Sequence, residues 1–66
     1  MILKFTHHYK EKGKPKTQFW IHKNVKEFHI ENQCENGLWL FITYENNEET
    51  AIEYEPENDY FEGKEK

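Results

Sequence analysis

Arginine and serine are absent from this chain of 66 residues, and cysteine, glycine and proline are scarce, with one, three and two copies. Each shortage closes off a class of function. Without arginine there is no planar guanidinium fork to clamp phosphates in pairs of hydrogen bonds. Without serine the commonest hydroxyl nucleophile is missing. The lone Cys34 rules out an internal disulfide, the usual staple of small secreted domains, and favours a reducing compartment. It sits beside Glu35, whose negative charge works against a reactive thiolate. Gly13, Gly37 and Gly63 are isolated, so no glycine-rich loop cradles phosphates. Apolar runs are short: nothing in MILKFTHHYK resembles a signal peptide, and no stretch approaches the ~20 residues of a membrane span. A soluble cytoplasmic protein with no membrane association is expected.

Aromatic residues are plentiful. Eleven of them argue for a packed core, because disordered chains are poor in aromatics. A chain this short buries only about 60% of its unfolded surface, and its core is expected to supply no more than ~3–5 kcal/mol of net stability.

Charge is divided between the two halves. Residues 1–30 carry seven lysines against Glu11 and Glu27, a balance of +5; residues 31–66 carry eleven carboxylates against Lys64 and Lys66, a balance of −9. The net −4 therefore conceals a strong dipole, which bears on partners and association rates. The abundance of Lys, Glu, Asn and Ile with no arginine fits an AT-rich genome, such as that of a low-GC bacterium or one of its phages.

Apolar residues alternate with the period of strands and show no helical spacing. Strands are predicted over Met1–Tyr9, Thr17–Lys23, Lys26–Glu31, Leu38–Tyr44 and Thr50–Tyr54. The reading is all-β: a five-stranded antiparallel meander, as an open curled sheet or a small SH3-like barrel, with a short acidic C-terminal tail. Residues 1–63 form a single domain and 64–66 a frayed tail. Keeping like faces together places Phe5 opposite Ile21, His7 opposite Phe19, Ile21 opposite Phe28, Phe28 opposite Ile42, Ile30 opposite Leu40, Ile42 opposite Ile52 and Leu40 opposite Tyr54. The expected core is Leu3, Phe5, Tyr9, Phe19, Ile21, Phe28, Ile30, Leu40, Ile42, Tyr44, Ile52 and Tyr54. Asn36-Gly37 resembles a two-residue hairpin turn, yet that turn would drive Glu31 into the core. A wider loop or a bulge within Asn32–Glu35 resolves the conflict.

These registers put Trp20, His29, Trp39 and Phe41 on the second face, flanked by Glu53 and Glu55. An apolar patch on the face that should meet water marks an interaction site, and aromatic anchors carry most interface energy. Folding the tail back over the patch, or dimerisation, would also cover it. His7 and His8 are adjacent on a strand and point to opposite faces, so they do not chelate one ion. No spacing specifies a zinc site, and neither metal nor cofactor is expected. The carboxylates sit in turns and on strand edges, without the pocket that general acid–base chemistry needs, so the chain is not expected to be an enzyme.

The leading expectation is a non-catalytic protein-binding module docking on a basic partner through Trp20, His29, Trp39, Phe41, Glu53 and Glu55. Carboxylates interleaved with aromatics can imitate nucleic acid, as an inhibitor of a DNA-binding protein from a phage or mobile element would. The alternative is nucleic-acid binding by Lys10, Lys12, Lys14 and Lys16 with stacking on Trp20 and His22. The absence of arginine and the −9 that follows count against it. A homodimer, basic edge against acidic edge, is the structural rival.

Overall fold

A computed structural model describes residues 1–65. It contains six strands, β1 (Ile2–Glu11), β2 (Lys14–His22), β3 (Val25–Asn32), β4 (Leu38–Tyr44), β5 (Glu49–Tyr54) and β6 (Asp59–Lys64), with one 3₁₀ turn at Cys34–Asn36. They form two three-stranded antiparallel sheets, ordered β2-β1-β6 and β3-β4-β5. The expected all-β class is present, but as six strands in two sheets rather than five in one meander. The sixth strand comes from the acidic tail: Tyr60 and Phe61 pair with Thr6 and Phe5 of β1. Lys64 closes β6, Glu65 follows it, and Lys66, the last residue of the expected frayed tail, lies outside the described residues.

The chain changes sheet at Asn24, which takes a positive φ of 58°, a conformation asparagine tolerates better than most residues. β2 therefore does not pair with β3, and the expected pairing of Ile21 with Phe28 across one sheet is absent. Two hydrogen bonds join the sheets at this corner, Met1 N to Val25 O at 3.1 Å and Val25 N to Met1 O at 3.0 Å. The shortest extent of the Cα trace is 15 Å, as two sheets stacked about 10 Å apart require.

The core lies between the layers. Leu3, Phe5, Val25, Leu40 and Ile42 are buried, and Met1, Phe28, Tyr44, Ile52, Tyr54 and Phe61 pack around them. On one side the sheets meet closely, with Phe28 edge-on to Phe61 at 5.5 Å and its ring over Gly63. On the other side β2 and β5 leave a cleft between the sheets, so the barrel does not close.

Register decides which side chains the core receives. β3 and β4 pair as expected, Phe28 with Ile42 and Ile30 with Leu40. The wider loop is the 3₁₀ turn at Cys34–Asn36, so Asn32 meets Leu38 and Glu31 stays outside; the bulge falls instead between Val25 and Glu27.

β1 and β2 differ from expectation by one residue. Lys12 (φ 52°) and Gly13 (φ 79°) form a two-residue turn with both residues left-handed, the geometry that matches strand twist in tight hairpins. Phe5 consequently faces Trp20, not Ile21, and His7 faces Gln18, not Phe19. A one-residue slip turns every side chain of a strand over. Trp20 thus turns to the inner side of the sheet, where it lines the cleft and is still 47% exposed, while Phe19 and Ile21, assigned to the core, are 59% and 48% exposed on the outer side. Ile30, on edge strand β3, is 36% exposed.

β4 and β5 slide by two, which keeps the faces. Leu40 meets Ile52 and Ile42 meets Thr50 because the turn is centred on Glu45–Asn47, closed by Tyr44 N to Glu48 O at 2.9 Å with Asn47 at φ 69°.

Candidate functional site

The solvent face of the β3-β4-β5 sheet is built by alternation. With Phe28 and Ile30 inward, β3 turns Glu27, His29 and Glu31 outward. With Leu40 and Ile42 inward, β4 turns Trp39, Phe41 and Thr43 outward. β5 contributes Glu49, Ala51 and Glu53. The paired positions make three rows: Glu27–Thr43–Glu49, His29–Phe41–Ala51 and Glu31–Trp39–Glu53. Four glutamates stand at the corners of an aromatic centre, and this nine-residue face holds no lysine. From strand rise and spacing, the corners outline a rectangle of about 13 by 10 Å.

The centre is ordered by its own contacts. The His29 imidazole stacks on Phe41 at 5.4 Å and 12°. Trp39 Nε1 donates to Asn36 O at 2.9 Å, which ties the indole to the 3₁₀ turn. Glu31 accepts from His29 Nε2 at 3.2 Å and from Gln33 Nε2 at 2.8 Å. Trp39 and Phe41 are half-buried and the glutamates are exposed. A fixed aromatic plate framed by solvated carboxylates suits a partner offering apolar contact within a basic surround.

The structure divides the residues expected to act together. His29, Trp39, Phe41 and Glu53 share this face. Trp20 does not: it lies on the inner side of the other sheet, 6.0 Å from Phe5, as the β1–β2 register requires. Glu55 falls one residue beyond β5, at the rim of the cleft, with its carboxylate accepting from Asn58 Nδ2 at 3.1 Å. Glu27, Glu31 and Glu49 complete the corners and were not among the residues expected to dock. Their common signal is alternation with the inward residues Phe28, Ile30, Thr50 and Ile52.

The opposite face of the molecule has another character. Register places Lys4, Thr6 and His8 of β1 outward with Phe19 and Ile21 of β2 and Tyr60 and Glu62 of β6. Lys4 Nζ sits 4.7 Å above the Phe19 ring. Lys10, Lys12, Lys14 and Lys16 extend along the β1–β2 hairpin, all exposed. By alternation Lys14 and Lys16 share the β2 face of Trp20 and His22, whereas Lys10 lies on the opposite face, so the four lysines are divided between the two sides of the hairpin. The split of charge along the chain has become a split between the two ends and faces of the fold.

The cleft between β2 and β5 encloses about 440 Å³ and is lined by Phe5, Trp20 and Ile52 with His7, His22, Thr50, Glu53, Glu55 and Asp59. Its polar groups are largely engaged. His7 Nδ1 donates to the buried carboxylate of Asp59 at 2.5 Å, while Asp59 Oδ2 accepts from Glu55 N at 2.8 Å. His22 shares a hydrogen bond of 2.9 Å with Tyr44 Oη, and its Nε2 is buried without a partner among the described residues. Desolvation lowers the His22 pKa below the ordinary imidazole value. Among the described residues no three histidine, cysteine or carboxylate side chains converge as a metal ion would need. Nor is any helix there long and apolar enough to cross a membrane.

No family model, no curated protein and no solved structure matches this chain.

Proposed function

We propose that this protein is a non-catalytic interaction module that docks on a basic protein through the outer face of the β3-β4-β5 sheet. The observation that carries the reading is the arrangement of Glu27, Glu31, Glu49 and Glu53 around the ordered Trp39–Phe41–His29 centre. An aromatic plate supplies contact energy. The surrounding carboxylates steer a cationic partner and reject an anionic one. A partner whose basic surface ordinarily receives nucleic acid fits both features, and occupying that surface would inhibit it.

The decisive experiment is capture of partners from a nuclease-treated lysate of a low-GC bacterium, with wild type and Trp39→Ala side by side. A basic protein retained by the wild type and lost from the variant supports the reading. Retention that depends on nucleic acid and ignores Trp39 removes it, and would turn attention to Lys10, Lys12, Lys14 and Lys16.

A further inference from the structure

Four strand edges border the two sheets, and they are not equivalent. β3 and β6 close on each other through Phe28, Phe61 and Gly63. Among the described residues β2 and β5 have no strand partner on their cleft sides. In an antiparallel ladder the main-chain groups of successive residues point alternately toward and away from the neighbour. The Tyr44–Glu48 bond at the turn sets that phase for β5. Thr50, Ile52 and Tyr54 bond to β4, so Glu49, Ala51 and Glu53 direct their N–H and C=O groups away from the sheet. β5 therefore offers a short, unpaired template beside an apolar cleft.

Charge selects what the template accepts. Among the described residues the cleft lining holds no lysine and includes Glu53, Glu55 and Asp59, and Glu49 stands outward on the same strand. Glutamates disfavour pairing of β5 with a copy of itself, the usual defence of a strand edge, but they favour a cationic chain. The β2 edge is opposite in kind, with Lys14, Lys16 and Pro15 near the hairpin.

We propose that β5 takes up an extended basic segment of the partner protein as an added strand, apolar side chains entering the cleft against Trp20, Phe5 and Ile52 and basic ones lying outside beside Glu49 and Glu53. Alternate side chains of an added strand fall on opposite sides, so one segment with alternating basic and apolar residues satisfies both surfaces. The inference rests on the reading of a basic partner and specifies how that partner is held. The outward, basic row of the added strand lies alongside the acidic face, joining the edge and the Trp39–Phe41 plate into one binding surface.

A ten-residue synthetic peptide of alternating Val and Lys tests it on the intact protein. Binding is expected to shift the amide resonances of Glu49, Ala51 and Glu53 and, in a Trp39→Phe variant whose sole indole is Trp20, to move the fluorescence to shorter wavelength. Two N-methylated versions then separate strand addition from simple charge attraction. Methylating one alternate set of nitrogens weakens binding by at least about tenfold, while methylating the other set changes it by no more than about twofold. No binding, or equal affinity for both methylated peptides, overturns the proposal. So does a dimer seen by sedimentation at the same concentration that blocks the peptide, which would assign the edge to a second copy. These readouts do not use Trp39, so failure here is distinguishable from failure of the docking face in the lysate experiment.

Discussion

His22 links the pH of the solution to the stability of the fold. It lies at the inner end of β2, bonded to Tyr44 Oη, with Nε2 buried, and desolvation lowers its pKa below 6.5. The charged form is penalised only in the folded state, so below the unfolded value the unfolded chain binds a proton that the native protein resists. Stability is full above pH 6.5 and declines as pH falls from there toward the folded value. Melting between pH 7.5 and 5.5 is expected to show this loss, and His22→Gln to remove most of it. A second residue-scale test is Gly37, at φ 79° and ψ −159°, a region open essentially to glycine alone. A Cβ there meets nothing within 4 Å, so Gly37→Ala isolates backbone strain, an expected cost of about 1–3 kcal/mol in a denaturant titration. At this scale the sequence was informative about Gly37, flagged by Asn36-Gly37. It was silent about His22, whose burial depends on the pairing of β2.

Strands β1 and β2 show why element-level reading succeeds or slips. The period of alternation located five strands and the correct pairing of β3 with β4, because a wrong register there would have buried Glu31. β2 carried no such penalty: Phe19 and Ile21 on one side and Trp20 and His22 on the other are all acceptable core residues, and the Lys12-Gly13 turn decided between them. The acidic tail was assigned no strand for want of a strong apolar alternation, yet Phe61, packed against Phe28 and Tyr54, and the buried Asp59 anchor β6. Leu40→Ala, in the centre of β4 and fully buried, is expected to cost about 2–5 kcal/mol. That is comparable with the whole net stability of a domain this small, and the variant should be largely unfolded by circular dichroism. Phe19→Ala, on the outer face, should cost no more than about 1 kcal/mol. If Phe19→Ala proves as damaging as Leu40→Ala, the one-residue register of β1 with β2 is wrong.

For the whole molecule the organising fact is that its two sheets present unlike surfaces to solvent. One carries lysines with Phe19, Ile21 and Tyr60; the other carries glutamates around Trp39 and Phe41. The imbalance of charge along the chain foreshadowed this, because β4 and β5 come from the acidic half while β1 and β2 come from the basic half. Alternation alone puts Glu27, Glu31, Glu49 and Glu53 on the face of His29, Trp39 and Phe41; what was not legible was the row each takes, set by the two-residue slide of β5, and the loss of Trp20 from that face, set by the separation of β2 from β3. Replacing Glu27, Glu31, Glu49 and Glu53 with Gln leaves the aromatic plate intact. Association with a basic partner should then slow by about tenfold or more at low salt and lose its dependence on ionic strength, while dissociation changes little. The docking claim is tested most directly by photo-crosslinking in cells or lysate, with p-benzoylphenylalanine in place of Phe41 and, separately, in place of Phe19. The expected result is a nuclease-resistant adduct with a basic protein from position 41 and none from position 19. Adducts from position 19 alone, or adducts with nucleic acid, would contradict the assignment of the β3-β4-β5 face as the binding surface.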